Sequence, residues 1–217
     1  MGEILIITGG PIQEAFAQSY ISQGNWDLVI AADKGLELCH SCMIVPDLIL
    51  GDFDSSDQEI LSYYQSHYPD RIRRYPSSKN ETDTELALNE AFLYPDKEIH
   101  ILGALGGRID HMLANISLLQ IAVDRKRICY LIDESARLFM TDHPVVIQKD
   151  HLSKDLVSIL AYGTDVTGLT LEGFAYDTKD LTLPAAGSRG ISNYLVSDEG
   201  KISFTSGTVL VIETLEY

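Results

Sequence analysis

Leu48-Ile49-Leu50-Gly51-Asp52-Phe53-Asp54-Ser55 is a short apolar run that stops at a glycine and gives way to two acids. The same pattern recurs on either side of it. Ile4 to Thr8 stops at Gly9-Gly10-Pro11, Leu28 to Ala32 at Asp33, Ile99 to Leu102 at Gly103, and Ile128 to Ile132 at Asp133. Between these runs lie stretches with helical spacing, such as Met112 to Val123, where Leu113, Ile116, Leu119 and Gln120 fall on adjacent turns. Uninterrupted apolar strands separated by helices imply a parallel sheet covered on both faces, a three-layer α/β domain. Such sheets bind ligands outside the carboxyl ends of their strands. The glycines and aspartates that end these runs sit there.

After about Ser135 the rhythm changes. Arg137 to Thr141, Val145 to Gln148, Leu156 to Ala161 and Thr208 to Ile212 are short strand-like runs. Thr167-Gly168, Glu172-Gly173, Ala186-Gly187, Glu199-Gly200 and Ser206-Gly207 read as turns between them. Short strands at regular spacing predict an antiparallel sandwich or barrel. The expected division is an α/β domain over 1–135 and an all-β sandwich over 136–217, joined without a long linker.

Composition narrows the function. Of the 217 residues 45% are hydrophobic, enough for a sizeable core, and the net charge is −16. That charge argues against nucleic acid as a partner, which needs a basic face. It argues equally against an anionic membrane surface. The first residues lack the basic lead of a signal peptide, and Ile6 stands where a myristoylation signal wants Ser or Thr. No apolar stretch approaches the roughly 20 residues that span a bilayer. Cys39 and Cys42 form a Cys-x-x-Cys, but a zinc site needs about four ligands and only Cys129 and scattered histidines remain. The thiols are read as reduced, in the cytosol. The Asn80 and Asn115 sequons then go unused.

Three segments hold the chemistry. In a continuing strand, Asp52 and Asp54 point to one side. Paired carboxylates tolerate each other beside a hard divalent cation, and Mg²⁺ takes one or two carboxylates plus substrate phosphates. A solvated acidic turn, with Asp52 capping the next helix, explains the same residues. In Lys79-Asn80-Glu81-Thr82-Asp83-Thr84-Glu85, Thr82 and Glu85 form a capping box and Asp83 suits the helix dipole. Lys79 is left over, placed to hold a phosphate. In Gly103-Ala104-Leu105-Gly106-Gly107-Arg108-Ile109-Asp110-His111, glycines let backbone approach a ligand and Arg108 can pair with phosphate oxygens. His111 is a base, a ligand or merely solvated. Neither Gly-x-Gly-x-x-Gly nor a Walker motif occurs. Gly187 to Tyr194 reads only as a turn, Arg71, Arg73 and Arg74 as a solvated strand edge, and Trp26 as packing at a strand entrance.

The ordered set resembles the thiamine pyrophosphokinase family: Ala32-Asp33-Lys34-Gly35, Pro46 to Ser55, Thr82-Asp83-Thr84-Glu85, Gly106 to His111, and Ser192-Asn193 near the end. The resemblance spans nearly the whole chain. It implies an α/β catalytic domain, a β-sandwich that binds thiamine, and a cytoplasmic homodimer with shared active sites. It implies that Asp33, Asp52, Asp54, Asp83 and Asp110 are the acidic set, with Mg²⁺ on Asp52, Asp54 and Asp83. Gly9, Gly10, Lys79, Thr82, Gly106, Gly107 and Arg108 would border the nucleotide phosphates, and Ser192 and Asn193 thiamine. Lys34 stands where the family often has Gly, and Asn80 where bacterial members often have Asp. The family's thiamine-contacting tryptophan has no counterpart in the second half, where Tyr194 or Phe204 would substitute. The implied reaction is attack by the thiamine hydroxyl on the β-phosphorus of ATP, with AMP leaving and Asp110 or Asp83 receiving the proton. Bare aspartates would repel ATP by about 4 kcal/mol per charge pair at about 4 Å and an effective dielectric of about 20, so metal is a requirement. The alternatives are a diphosphokinase for another hydroxymethyl heterocycle, such as a pterin, and a thiamine sensor without turnover. A sensor does not need five aspartates.

Overall fold

A computed structural model describes residues 2–149 and 155–216. Met1 and Tyr217, the outer limits of the two expected domains, fall outside the described residues. The chain divides between Glu134 and Ser135 into two units.

The first unit contains β1 (Glu3–Ile7), α1 (Glu14–Gln23), β2 (Trp26–Ala32), α2 (Gly35–Ser41), β3 (Leu48–Gly51) and α3 (Gln58–His67). A 3-10 turn (Pro69–Arg71), β4 (Ile72–Arg74), α4 (Asp83–Ala91), β5 (Ile99–Leu102), α5 (Ile109–Asp124) and β6 (Cys129–Ile132) follow. The strands lie in the order β4-β3-β2-β1-β5-β6, and every pairing is parallel. Ile4, Leu5, Ile6 and Ile7 are each 0% exposed, as strands covered on both faces require. Burying each such side chain stabilises the fold by about 1.5–3 kcal/mol.

The order fixes where a ligand can enter. From β1 the chain steps outward through β2 and β3 to β4, then returns past β1 to place β5 and β6 on its other side. Right-handed crossovers put α1, α2 and α3 on one face and α4 and α5 on the other. The contacts α2–α3 and α4–α5 agree with this. The reversal leaves a crevice between the carboxyl ends of β1 and β5.

Local expectations mostly hold. Thr82 caps α4, its Oγ1 accepting the Glu85 N–H at 3.2 Å. Trp26 opens β2 and donates its Nε1–H to the Ile21 carbonyl at 2.8 Å. β4 is the sheet's edge, and its Arg73 pairs with Glu90 at 2.6 Å. Two expectations need correction. Asp52 does not cap α3; Asp57 does, accepting the N–H groups of Glu59 and Ile60 at 2.9 and 3.1 Å. The buried stripe of α5 is Asn115, Leu118, Leu119, Ala122 and Val123, while Leu113 is 56% exposed. α5 is apolar around most of its circumference, so the pattern alone left its phase undetermined. Cys39, Cys42 and Cys129 are free and buried. Burial pushes the Cys129 thiol up to about 12 and raises Cys39 as well, so neither is a thiolate at neutral pH. Among the described residues no helix is long and apolar enough to cross a membrane.

The second unit contains β7 (Ala136–Thr141), β8 (Val145–Gln148), β9 (Leu156–Ala161), β10 (Val166–Glu172), β11 (Thr178–Leu183), β12 (Glu199–Ser203) and β13 (Val209–Thr214). β13 pairs antiparallel with β7 and β9, and a second antiparallel sheet runs β11-β10-β12-β8. Thr167-Gly168 and Glu199-Gly200 are not turns but lie inside β10 and β12. Gly168 has φ +70° where the β10–β11 register shifts, which marks a bulge. At Gly200 a Cβ would lie 2.3 Å from Leu195 Cδ2 and 2.6 Å from Phe174 Cζ, so packing, not turning, demands glycine there.

Candidate functional site

The loops that follow β1 and β5 are sewn together at the switch crevice. Thr8 Oγ1 donates to the Gly103 carbonyl at 2.6 Å, and the Gly10 N–H donates to the same oxygen at 2.9 Å. A Cβ on Gly10 would stand 2.1 Å from that oxygen, which is why the approach needs glycine. Asn115, read from sequence only as a sequon, is buried and donates from Nδ2 to the Ala104 carbonyl at 2.8 Å. It fixes the glycine-rich loop from beneath.

The carboxylates gather beside these loops. β3 ends at Gly51, and Phe53 turns the backbone with φ +61° while its ring stays buried. The expected strand alternation therefore does not orient Asp52 and Asp54. A turn does, anchored by the buried Phe53, with the Asp54 N–H donating to Asp52 Oδ1 at 3.1 Å. Asp33, at the end of β2 with φ +46°, is gripped by the same turn. Ser55 Oγ donates to its Oδ2 at 2.7 Å, and Ser56 Oγ to its Oδ1 at 2.9 Å. Oxygens of Asp33, Asp52 and Asp54 lie within 4.8 Å of one another. An all-oxygen donor set of this kind suits a hard divalent cation. The structure groups Asp33, rather than Asp83, with Asp52 and Asp54.

A cavity of about 530 Å³ opens against this group. It is lined by Gly9, Gly10, Asp33, Asp52, Lys79, Thr82, Asp83, Gly106 and Arg108 among the expected residues, and also by Thr8, Lys34, Ser77 and His111. Lys79 Nζ lies 2.7 Å from Asp83 Oδ1 and 3.6 Å from Asp52 Oδ2, so its charge is spent between two carboxylates. Burial alone would lower the Lys79 pKa, but these carboxylates hold it above the usual lysine value. The Asp54 amide, ahead of the Lys79 charge, holds Asp52 below the usual carboxylate range against the opposing effect of burial. Asp83 is the opposite case: burial raises it, Lys79 offsets this only in part, and Asp33 and Asp52 push it further up. Asp54, Asp110 and Gly107 do not line the cavity. Asp110 is exposed and pairs with Arg108 at 2.6 Å, and that guanidinium holds its carboxyl down at about 2.

The second unit has its own cavity, of about 410 Å³, lined by Ile159, Tyr176, Arg189, Ile191 and Asn193 among others. The Asn193 amide is committed to the loop: Oδ1 accepts the Tyr176 and Tyr194 N–H groups, each at 3.0 Å, and Nδ2 donates to the Tyr176 carbonyl at 3.1 Å. Ser192 sits at φ +58° with its N–H on Ser158 Oγ, and is not part of the lining. The aromatic wall is Tyr176, not Tyr194 or Phe204. Nothing in the sequence pattern around Tyr176 marked it.

Comparison with known proteins gives two family matches. A model described as "Thiamin pyrophosphokinase, catalytic domain" matches residues 21–131, and "Thiamin pyrophosphokinase, vitamin B1 binding domain" matches residues 142–209. A thiamine pyrophosphokinase of Bacillus subtilis (strain 168) is 30% identical over 217 residues, all of both chains. A solved thiamine pyrophosphokinase structure from Bacillus subtilis superposes with a TM-score of 0.90 at 29% identity, covering 99% of this chain and 100% of that one. A structure from Geobacillus thermodenitrificans gives 0.84 at 28% identity, covering 98% and 97%.

Proposed function

The chain belongs to the thiamin pyrophosphokinase family, and from that premise we propose that it transfers the diphosphate of ATP to the hydroxyl of thiamine with Mg²⁺ held at Asp33, Asp52 and Asp54. The observation that carries the reading is the close approach of these three carboxylates at the carboxyl edge of the sheet, beside loops built for backbone contact. Their oxygen-only donor set fits Mg²⁺. When bound, the ion would supply charge neutralisation along the polyphosphate, without which the aspartates repel ATP.

The chain's own residues do the rest. Gly9, Gly10 and Gly106 let the backbone close on phosphate oxygens, and Arg108 pairs with them. Ser55 and Ser56 keep Asp33 oriented. Thr82 caps α4 and so sets where Asp83 stands. Asp83 takes the proton from the attacking hydroxyl: it lines the cavity, and its raised pKa makes it the better base than Asp110. The hydroxyl oxygen attacks the β-phosphorus in line and AMP departs. The cavity of the second unit, with Tyr176 as its aromatic wall, receives the thiamine rings.

The dependence on Mg²⁺ is checked by assaying protein stripped with chelator. Turnover should vanish and return on adding Mg²⁺; turnover indifferent to the chelator contradicts the metal assignment. The family resemblance also supports a cytoplasmic homodimer with sites shared between chains. Mixing Asp54→Asn chains with Tyr176→Ala chains should then restore part of the lost activity, because one site of each heterodimer has no lesion. If subunits exchange and no activity returns, each site is built within one chain.

A further inference from the structure

A second group of donors lies at the other end of the parallel strands. Glu3 begins β1, Glu98 immediately precedes β5, and His100 is the second residue of β5. The two strands are neighbours, the Ile4 N–H donating to the Glu98 carbonyl at 2.9 Å, so the three side chains meet where the strands start. This is the amino-terminal edge of the sheet, opposite the edge that holds Asp33 and Asp52.

His100 is 8% exposed and walled by aromatic rings, with Trp26 at 5.3 Å and Tyr130 at 5.2 Å between centroids. Its Nδ1 lies 2.6 Å from Tyr20 Oη. Its Nε2 is buried and has no hydrogen-bond partner among the described residues. That nitrogen faces Glu3 Oε2 at 3.7 Å and Glu98 Oε2 at 3.8 Å. These gaps are too long for hydrogen bonds. They lie a few tenths of an ångström beyond the span of two donors sharing one tetrahedral ion, where bonds of about 2.1 Å meeting at about 109° separate the donors by about 3.4 Å, a difference that small rotations of the half-exposed Glu3 and Glu98 side chains close. One oxygen from each carboxylate and the imidazole nitrogen all lie within 4.8 Å of one another.

We propose that Glu3, Glu98 and His100 form a second divalent-cation site, selective for a transition ion such as Zn²⁺, that clips the start of β1 to the start of β5. One imidazole nitrogen with two carboxylate oxygens is a zinc-type donor set, completed by water, whereas Mg²⁺ favours oxygen alone. Tyr20 supplies the outer support: with Nε2 on the ion, Nδ1 holds the proton and donates it to Tyr20 Oη, which fixes the ring. The Glu3 and Glu98 side chains are 37% and 45% exposed, so an ion can enter from solvent. The role is structural, because the site lies at the edge of the sheet away from the reacting groups.

The experiment compares wild type with Glu3→Gln/Glu98→Gln after dialysis against buffered Zn²⁺ in excess Mg²⁺, which keeps the aspartate group occupied. Wild type should retain one more Zn²⁺ per chain than the variant. At a hundredfold excess over Kd, Zn²⁺ should raise the wild-type Tm by roughly 5–10 °C more than that of the variant. The His100 ring signals in nitrogen-edited NMR should shift with Zn²⁺ in wild type, a readout that does not depend on the variant folding. Equal Zn²⁺ content in the two proteins, or His100 signals indifferent to Zn²⁺, overturns the proposal.

Discussion

Asp54→Asn should lower kcat by about a hundredfold to a thousandfold, the scale of losing one preorganised charge at a reacting centre. The amide keeps the size of the carboxylate but not its charge, and the Asp33, Asp52 and Asp54 group would fall from three negative charges to two. The turn itself should survive, because it is held by the Asp54 backbone N–H on Asp52 and by the buried Phe53, neither of which the substitution touches. Asp54 is exposed, so stability should change by no more than about 0.5 kcal/mol. Denaturant unfolding alongside steady-state kinetics separates the two effects. A variant with a near-normal rate at limiting Mg²⁺ would make Asp54 a turn residue only.

Glu213→Ala should destabilise the second unit by about 3–5 kcal/mol, the scale of breaking a buried ion pair. Glu213 on β13 is 1% exposed and stands directly opposite Arg137 on β7. The guanidinium grips it with two N–H groups, Nη2 reaching Oε1 at 3.1 Å and Nε bonding Oε2. Removing the carboxylate takes away the acceptor that meets both Nε and Nη2 of a guanidinium whose side chain is 13% exposed. The pair itself is worth far less than its rupture costs, since desolvation nearly cancels its attraction. Arg137→Met/Glu213→Leu should therefore recover most of the lost stability in a urea midpoint measurement. If the double variant is as unstable as Glu213→Ala, the loss comes from repacking and not from breaking the charged pair.

The parallel half was legible because its physics is local. Each buried strand is a continuous apolar run, and the runs of β1, β2, β3 and β5 end at glycines or aspartates that line the cavity. Helix starts were legible where a side chain caps the backbone, as at Thr82. The antiparallel half was less so. Gly168 and Gly200 look like turns in the sequence, yet one is a bulge and the other a floor beneath Leu195 and Phe174. Only tertiary packing tells these uses apart. Which acidic side chains approach one another was not readable from the chain. The family resemblance implied Asp83 beside Asp52 and Asp54, whereas the positive φ of Phe53 and the Ser55 and Ser56 hydroxyls bring Asp33 close to those two. Asp83 instead pairs through Oδ1 with Lys79 at 2.7 Å. Asp110 was chosen for its position in a motif, and its pairing with Arg108 became visible only in three dimensions.

The central claim is that ATP is cleaved between its α- and β-phosphates and that both outer phosphates move together. Phosphorus NMR of the protein with ATP, Mg²⁺ and thiamine follows this directly. The account predicts AMP and thiamine diphosphate in equal amounts from the first turnover, with no thiamine monophosphate passing through. Stoichiometric ADP with thiamine monophosphate would contradict it.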